Sequence, residues 1–165
     1  MPDKVVETQF PLIDADPHAS RVISYFRPSD YAVWAASTAA FPGLLYAWEM
    51  ADPTNAKIKT PIRLGGFLGF SAGFLFAYQR SSTRFWGWSE NKREEEMDLK
   101  ELRERAEKGL PLYGSSHQPD WVQAGAARNS QWSQLKFATF PMVNLVSHQH
   151  HGTDPAKYGV KSDDS

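Results

Sequence analysis

Two uncharged stretches decide the fold of this chain: YAVWAASTAAFPGLLYAW at residues 31–48 and LGGFLGFSAGFLFAYQ at residues 64–79. As α-helices of 18 and 16 residues they would measure about 27 and 24 Å, near the bilayer hydrocarbon thickness of about 30 Å. The sequence therefore predicts an all-α membrane protein built on a two-span transmembrane helical hairpin. Its helices are predicted at 30–50 and 62–80, with a short loop at 51–61 between them.

The residues beside the second stretch favour the same interpretation. Arg63 and Arg80 flank it, and their long aliphatic stems can reach a membrane surface. Trp86 and Trp88 follow at the level where an aromatic belt would lie. These four residues are the predicted interfacial anchors.

Small residues recur every four positions in both stretches, so they share one face of each helix. In lipid, such a face allows another helix backbone to approach closely and pack. The sequence thus predicts helix-packing contacts at Ala35, Ala39, Gly43, Gly65, Gly69, Gly73 and Ala77.

A buried helix pair in a soluble protein is the structural alternative, because stretches of this length are borderline for a membrane span. The mean hydropathy of the chain is −0.51, although the two stretches hold much of its apolar content. Since the remaining sequence is too polar to cover a buried pair, the membrane interpretation is preferred.

The other segments are assigned from their composition. Residues 1–29 contain four prolines and are predicted to form an extended N-terminal arm. Residues 89–109 carry oppositely charged pairs at i,i+4 and are predicted to form a charged amphipathic helix. Residues 110–165 lack sustained periodicity, so we expect an irregular tail that depends on partners for its order.

Several classes of function are disfavoured by the sequence. A net charge of −1 gives no basic field for nucleic acid. The chain has no cysteine and therefore no thiol nucleophile or thiolate metal site. It also lacks the glycine-rich and nucleophile motifs of nucleotide-binding proteins and hydrolases. We therefore expect no catalytic residue, no cofactor and no small-molecule substrate.

Two segments contain residue types that can bind a metal ion. Asp14 and Asp16 precede Pro17, where turn chemistry is the commoner use of aspartate. His148, His150 and His151 form the one histidine cluster of the sequence, but their spacing fits no regular zinc motif. No metal is predicted, and the histidines are expected to make a surface or partner contact.

Three segments resemble a known family. They are FPLIDADPH at 10–18, YFRPSDY at 25–31 and AYQRSSTRFWGWSE at 77–90, followed by the charged helix. Together they are similar to the fungal 21 kDa accessory subunit of mitochondrial respiratory complex I, the NADH:ubiquinone oxidoreductase (NADH dehydrogenase) of the respiratory chain. The resemblance extends over nearly the whole chain.

The resemblance implies a non-catalytic accessory subunit in the mitochondrial inner membrane that supports assembly and stability of the membrane arm. Its expected partners are other complex I subunits and membrane lipid, without nucleic acid or substrate. Basic residues near the predicted spans favour termini on the matrix side. The alternative is a small homo-oligomeric transporter or channel component, for which Ser37, Thr38 and Ser71 are the available polar groups.

Overall fold

The computed structural model describes residues 7–53, 57–130 and 143–160, and the regular structure in them is helical. This agrees with the predicted all-α class. In chain order the elements are α1 (Ala19–Ser24), α2 (Pro28–Ala51), α3 (Lys59–Phe85), α4 (Lys92–Glu107), α5 (Asp120–Ser130) and a 3₁₀-helix (Pro155–Tyr158).

The predicted two-span transmembrane hairpin is wrong. α2 and α3 contain 24 and 27 residues, yet no helix among the described residues is both long enough and apolar enough to cross a membrane. The uncharged stretches owe their lack of charge partly to glycine, serine, threonine, tyrosine and tryptophan, which favour hydrocarbon far less than aliphatic residues do. The predicted orientation of the termini depended on two spans and loses its basis with them.

The chain forms two compact units. The hairpin unit is Phe26–Ser81, and the arm–tail unit combines Met1–Tyr25 with Ser82–Ser165. α2 and most of α3 belong to the hairpin unit. The arm–tail unit therefore brings together two parts of the sequence that the hairpin unit separates.

Inside the hairpin unit, α2 packs against α3 through Trp34. Its ring lies 5.1 Å from that of Phe70 and 5.3 Å from that of Phe74, measured between centroids. Its indole nitrogen donates to the carbonyl oxygen of Phe70 at 2.9 Å. At the start of α2, the backbone nitrogen of Arg27 donates to the buried Asp30 carboxylate at 2.8 Å, and Arg80 Nε lies 3.3 Å from the other oxygen of that carboxylate. These contacts join the two helices near one end.

The arm–tail unit has its own apolar core. Tyr25 and Phe85 lie with ring centroids 5.0 Å apart at its centre. Further buried apolar side chains of this unit come from the arm, α1, the residue after α3, α4 and the 3₁₀-helix: Ile13, Val22, Trp86, Leu102 and Tyr158. This core positions the polar side chains described below.

The predicted segments differ from the observed helices in several places. α1 lies inside the segment predicted as an extended arm. α5 and the 3₁₀-helix lie inside the segment predicted as an irregular tail. α5 is rich in alanine, which favours a helix without any apolar periodicity. Parts of the predicted arm, loop and tail (1–6, 54–56, 131–142 and 161–165) lie outside the described residues.

Candidate functional site

The arm is fixed along the segment that follows α3. The backbone nitrogen of Phe10 donates to the carbonyl oxygen of Gly87 at 3.0 Å. Gly87 has a φ of 71°, and a β-carbon there would overlap the Phe10 carbonyl oxygen, so this position requires glycine. The side-chain amide of Asn91 donates to the carbonyl oxygens of Pro11 at 2.7 Å and Arg84 at 2.9 Å. Gly87 and Asn91 thus hold this part of the arm through hydrogen bonds to its backbone.

Arg21 of α1 is the centre of a buried polar network. Its Nη1 lies 3.2 Å from Asp14 Oδ2, and its Nη2 lies 2.7 Å from Asp98 Oδ1. The same Nη2 is 3.5 Å from Glu101 Oε2, which also accepts a 2.8 Å hydrogen bond from the hydroxyl of Tyr25. Both aspartate side chains are fully buried, so Arg21 compensates charges that water does not reach.

The 3₁₀-helix reaches the same network through Tyr158. Its hydroxyl donates to Asp98 Oδ2 at 2.7 Å, so both oxygens of this buried carboxylate have a donor. Burial raises the pKa of Asp98, while Arg21 and the Tyr158 hydrogen bond oppose that rise. Burial also raises the pKa of the Tyr158 hydroxyl, which keeps it a donor. One carboxylate of α4 therefore joins α1 to the end of the tail.

His151 connects the tail to the arm. Its Nδ1 lies 2.7 Å from Asp14 Oδ1, and its Nε2 lies 2.8 Å from the carbonyl oxygen of His148. The ring of Tyr113 stacks on it at 3.6 Å between centroids. Burial lowers the pKa of His151, but the charge of Asp14 and these hydrogen bonds outweigh burial, and the net pKa is raised above 6.5.

His148 makes a second connection to the arm. Its Nε2 lies 2.8 Å from Asp16 Oδ2, and its Nδ1 accepts the backbone N–H of His150 at 3.1 Å. Ser130 at the end of α5 donates its hydroxyl to the same Asp16 oxygen at 2.5 Å. The side-chain amide of Asn144 donates to the Asp16 carbonyl oxygen at 3.2 Å. Three side chains thus converge on Asp16 of the arm.

These contacts form one cluster, called here the arm–tail network: Asp14, Asp16, Arg21, Asp98, Glu101, Asn144, His148, His151 and Tyr158. Its side chains form hydrogen bonds and ion pairs with one another. The arrangement therefore joins separate segments of the chain. Among the residues that the structure describes, no group of three or more histidine, aspartate or glutamate side chains is arranged to hold a metal ion. The surface position expected for the histidines is wrong for His148 and His151, which are buried, and His150 is exposed.

The glycines predicted as helix-packing contacts face α2 of the same chain. A β-carbon on Gly69 would lie 2.8 Å from the carbonyl oxygen of Ser37, and one on Gly73 would lie 2.7 Å from that of Trp34. Gly65 is buried on the same side of α3. Because the neighbour on α2 moves toward its N-terminus as α3 advances, the two helices are antiparallel.

The predicted residues of α2 lie elsewhere. Ala35, Ala39 and Gly43 are exposed, and no atom would lie within 4 Å of a β-carbon on Gly43. Ala77 of α3 is fully buried. The structure therefore brings together the glycines of α3 with α2 but leaves the small residues of α2 open. Their role as contacts to another protein stays a prediction.

The predicted anchors are spread over different environments. Arg63 is exposed, and the Arg80 side chain is half exposed beside Asp30. Trp88 is 47% exposed, whereas Trp86 is 4% exposed and belongs to the core of the arm–tail unit. Anchoring at a membrane surface stays a prediction for these residues.

Sequence reasoning missed the pairing of the arm–tail network. In the sequence, Asp14 and Asp16 form one group of potential metal ligands, and the three histidines form another. The signal that could have joined them is the complementary charge of the two groups, but 137 residues separate Asp14 from His151. No pattern in the sequence indicated that Arg21 would be part of this network.

The fold and this network define a class of protein. It is a small helical protein whose buried polar side chains join its own segments. Its exposed apolar helix surfaces are typical of subunits of assemblies. Comparison with known proteins gives the family. Residues 7–90 match the NADH-ubiquinone oxidoreductase complex I 21 kDa subunit family, and residues 99–164 match the family of the C-terminal part of that subunit. The chain belongs to the complex I 21 kDa subunit family.

A curated relative gives the same result. The NADH-ubiquinone oxidoreductase 20.9 kDa subunit of Neurospora crassa is 48% identical over 158 residues. The matched region covers 94% of this chain and 84% of the relative. The family resemblance found in the sequence is thus confirmed.

Proposed function

We propose that this chain is a non-catalytic accessory subunit of mitochondrial respiratory complex I that supports assembly and stability of the membrane arm at the inner membrane. Its partners are other subunits of the complex. Family membership and the 48% identity to the Neurospora subunit support a place in this complex. The structure supports the accessory role through a network that joins segments and through the surface of the hairpin unit.

The observation that carries the proposal is the apolar surface of the hairpin unit. Leu44 and Trp48 of α2 are 70% and 73% exposed, and Phe67 of α3 is 67% exposed. Further large apolar side chains of this unit are exposed as well: Tyr31, Phe41, Leu45, Tyr46, Met50, Leu64, Leu68, Phe70 and Phe76. Large apolar side chains exposed in such number in one unit indicate a contact site for protein or membrane. Membrane lipid, the other predicted partner, would meet the same side chains.

The small residues of α2 give this surface a face suited to a helix of a partner subunit. Ala35, Ala39 and Gly43 are exposed at four-residue spacing, and small side chains allow a second backbone to approach closely. The transporter alternative gains no support from the hydroxyl groups considered for it. The hydroxyl of Thr38, for example, donates to the carbonyl oxygen of Trp34 within α2 at 2.8 Å.

The experiment is a native gel of mitochondrial membranes solubilised in mild detergent, probed for this chain. We expect co-migration with NADH dehydrogenase activity. Migration as a small separate oligomer would overturn the accessory assignment.

A pair of variants tests the contact face. In cells whose single copy is Ala39→Arg, we expect most of the chain to leave the complex, because a charged side chain would stand in the contact. Ala156→Arg changes an exposed alanine of the arm–tail unit and should leave co-migration intact. If the two variants co-migrated with the complex to the same extent, α2 would not be part of the proposed interface.

A further inference from the structure

We propose that the contact between His151 and Asp14 is a pH-sensitive fastening of the tail (143–160) to the arm (7–18), closed while His151 is an imidazolium ion and weakened when it loses a proton. The contact lies within the arm–tail unit and is independent of the proposed assembly role.

The hydrogen-bond geometry of His151 requires two ring protons. Its Nδ1 faces Asp14 Oδ1 at 2.7 Å and its Nε2 faces the carbonyl oxygen of His148 at 2.8 Å. A carboxylate and a carbonyl are both acceptors, so each ring nitrogen must donate. A neutral imidazole would turn one nitrogen lone pair toward an oxygen lone pair inside a buried site, which costs stability. The closed contact is therefore the protonated one.

His148, whose ring lies beside that of His151, shows the contrasting case. Its Nδ1 accepts the backbone N–H of His150 at 3.1 Å, so this nitrogen carries no proton. Its Nε2 donates to Asp16 at 2.8 Å. The rings of His148 and His151 stack with centroids 4.6 Å apart. One neutral and one charged ring avoid the repulsion that two imidazolium ions would have at this distance.

The charges around His151 favour the imidazolium ion. The arm, α1, α4, the segment between α4 and α5, and the tail present titratable or charged groups toward this region. These groups are Asp14, Asp16, Arg21, Asp98, Glu101, Tyr113, His148 and Tyr158. Four of them are carboxylic acids, whereas Arg21 is the single guanidinium among them. A proton on His151 moves this buried group toward charge balance.

The direction of the pH effect follows from linkage. The pKa of His151 is raised above 6.5 in the folded chain, whereas a released tail would have the ordinary histidine pKa of about 6.5. The fastened state therefore holds the proton more tightly. Its stabilisation is fully present below about pH 6.5 and is lost as pH rises through the folded pKa. Between the two pKa values, release of the tail becomes up to about tenfold more favourable per pH unit.

Two backbone hydrogen bonds can be used to measure whether the tail is attached to the arm. The amide of Ala15 donates to the carbonyl oxygen of His151 at 2.9 Å, and the amide of Ala19 donates to that of Asn144 at 2.8 Å. Both cross from arm to tail. The amide of Val22 donates to the carbonyl oxygen of His18 at 3.1 Å. This hydrogen bond does not involve the tail, so the Val22 amide serves as an internal reference.

The first measurement is the protonation state of the histidine rings in the full-length, ¹⁵N-labelled chain by NMR across pH 6–9. We expect His151 to keep two ring protons above pH 6.5, where a histidine with the ordinary pKa would be mostly neutral. A singly protonated His151 throughout this range would overturn the proposal.

The second measurement is hydrogen-exchange protection of the reporter amides over the same range. In the wild-type chain, protection of Ala15 and Ala19 relative to Val22 should fall by up to about tenfold per pH unit above pH 6.5 and then level off. His151→Gln should make that ratio independent of pH, whereas His150→Gln, at an exposed neighbour, should keep it. A ratio that is flat in wild type, or that keeps its pH dependence in His151→Gln, would contradict the fastening.

Discussion

Gly69 has no room for a β-carbon. Such an atom would lie 2.8 Å from the Ser37 carbonyl oxygen and 3.1 Å from the Cβ of Phe41, and the first of these belongs to a helix backbone that cannot move alone. We expect Gly69→Ala to force α2 and α3 apart and to destabilise the chain by about 1–3 kcal/mol. Chemical unfolding followed by circular dichroism measures this change.

Gly66 is the matched control, one turn earlier on the same helix. Nothing would lie within 4 Å of its β-carbon. Because alanine favours a helix over glycine by about 1 kcal/mol, Gly66→Ala should leave stability unchanged or raise it. If Gly66→Ala and Gly69→Ala lowered stability by similar amounts, the glycines of α3 would not set the distance between α3 and α2.

Single residues show what local sequence does and does not reveal. The four-residue spacing of Gly65, Gly69 and Gly73 places them on one helix face by geometry alone, and α2 lies on that face. The equally regular row at Ala35 and Ala39 faces outward. Periodicity fixes which residues share a face, but the packing partner of that face depends on the whole fold.

At the scale of elements, the 3₁₀-helix is held on α4 by a buried contact and an exposed one at adjacent positions. Tyr158 donates to the fully buried Asp98 at 2.7 Å, whereas Lys157 pairs with Glu95 at 3.5 Å with both side chains about a third exposed. We expect Tyr158→Phe to cost about 1–3 kcal/mol, since a buried carboxylate oxygen loses its donor. Lys157→Ala should cost less than about 1 kcal/mol.

Unfolding free energies of the two variants measure this difference. Amide NMR shifts of residues 155–160 would show whether the 3₁₀-helix has left α4. If Lys157→Ala proved the more damaging substitution, the exposed ion pair would be the main attachment.

Elements were predicted unevenly from the sequence. The helices predicted from the two uncharged stretches and from the charged segment 89–109 lie close to α2, α3 and α4. In these segments the pattern of composition or charge extends over several turns. The membrane interpretation failed because lack of charge was read as apolarity, although glycine and hydroxyl residues dilute both stretches. α5 was not predicted, because its 11 residues are mainly small and polar and show no apolar face.

At the scale of the whole molecule, the two family matches and the two compact units divide the chain differently. The matches cover 7–90 and 99–164, whereas the arm–tail unit combines 1–25 with 82–165. Buried groups of the tail have their partners in the arm. This arrangement could not be predicted from the sequence, because contacts over more than 100 residues leave no local pattern.

The division has a testable consequence for folding. Without the arm, His148 would lose Asp16, His151 would lose Asp14, and Asn144 would lose the Asp16 carbonyl. Each lost partner of a buried polar group costs about 1–3 kcal/mol, and a domain has a net stability of only about 5–15 kcal/mol. A fragment of residues 82–165 should therefore lack ordered tertiary structure by itself.

Adding a peptide of residues 7–25 should restore that order, because it supplies the missing partners together with Arg21 and the apolar residues of α1. Dispersion of the amide NMR signals of labelled 82–165 measures this during titration with the peptide. The matched control is the same peptide with Asp14→Ala, which should order the fragment far less, since it leaves both Arg21 and His151 without this carboxylate. A fragment that is well dispersed before any peptide is added would show that the tail and α4 fold independently. The arm would then be attached to a preformed domain, and the arm–tail network would not be what organises the unit.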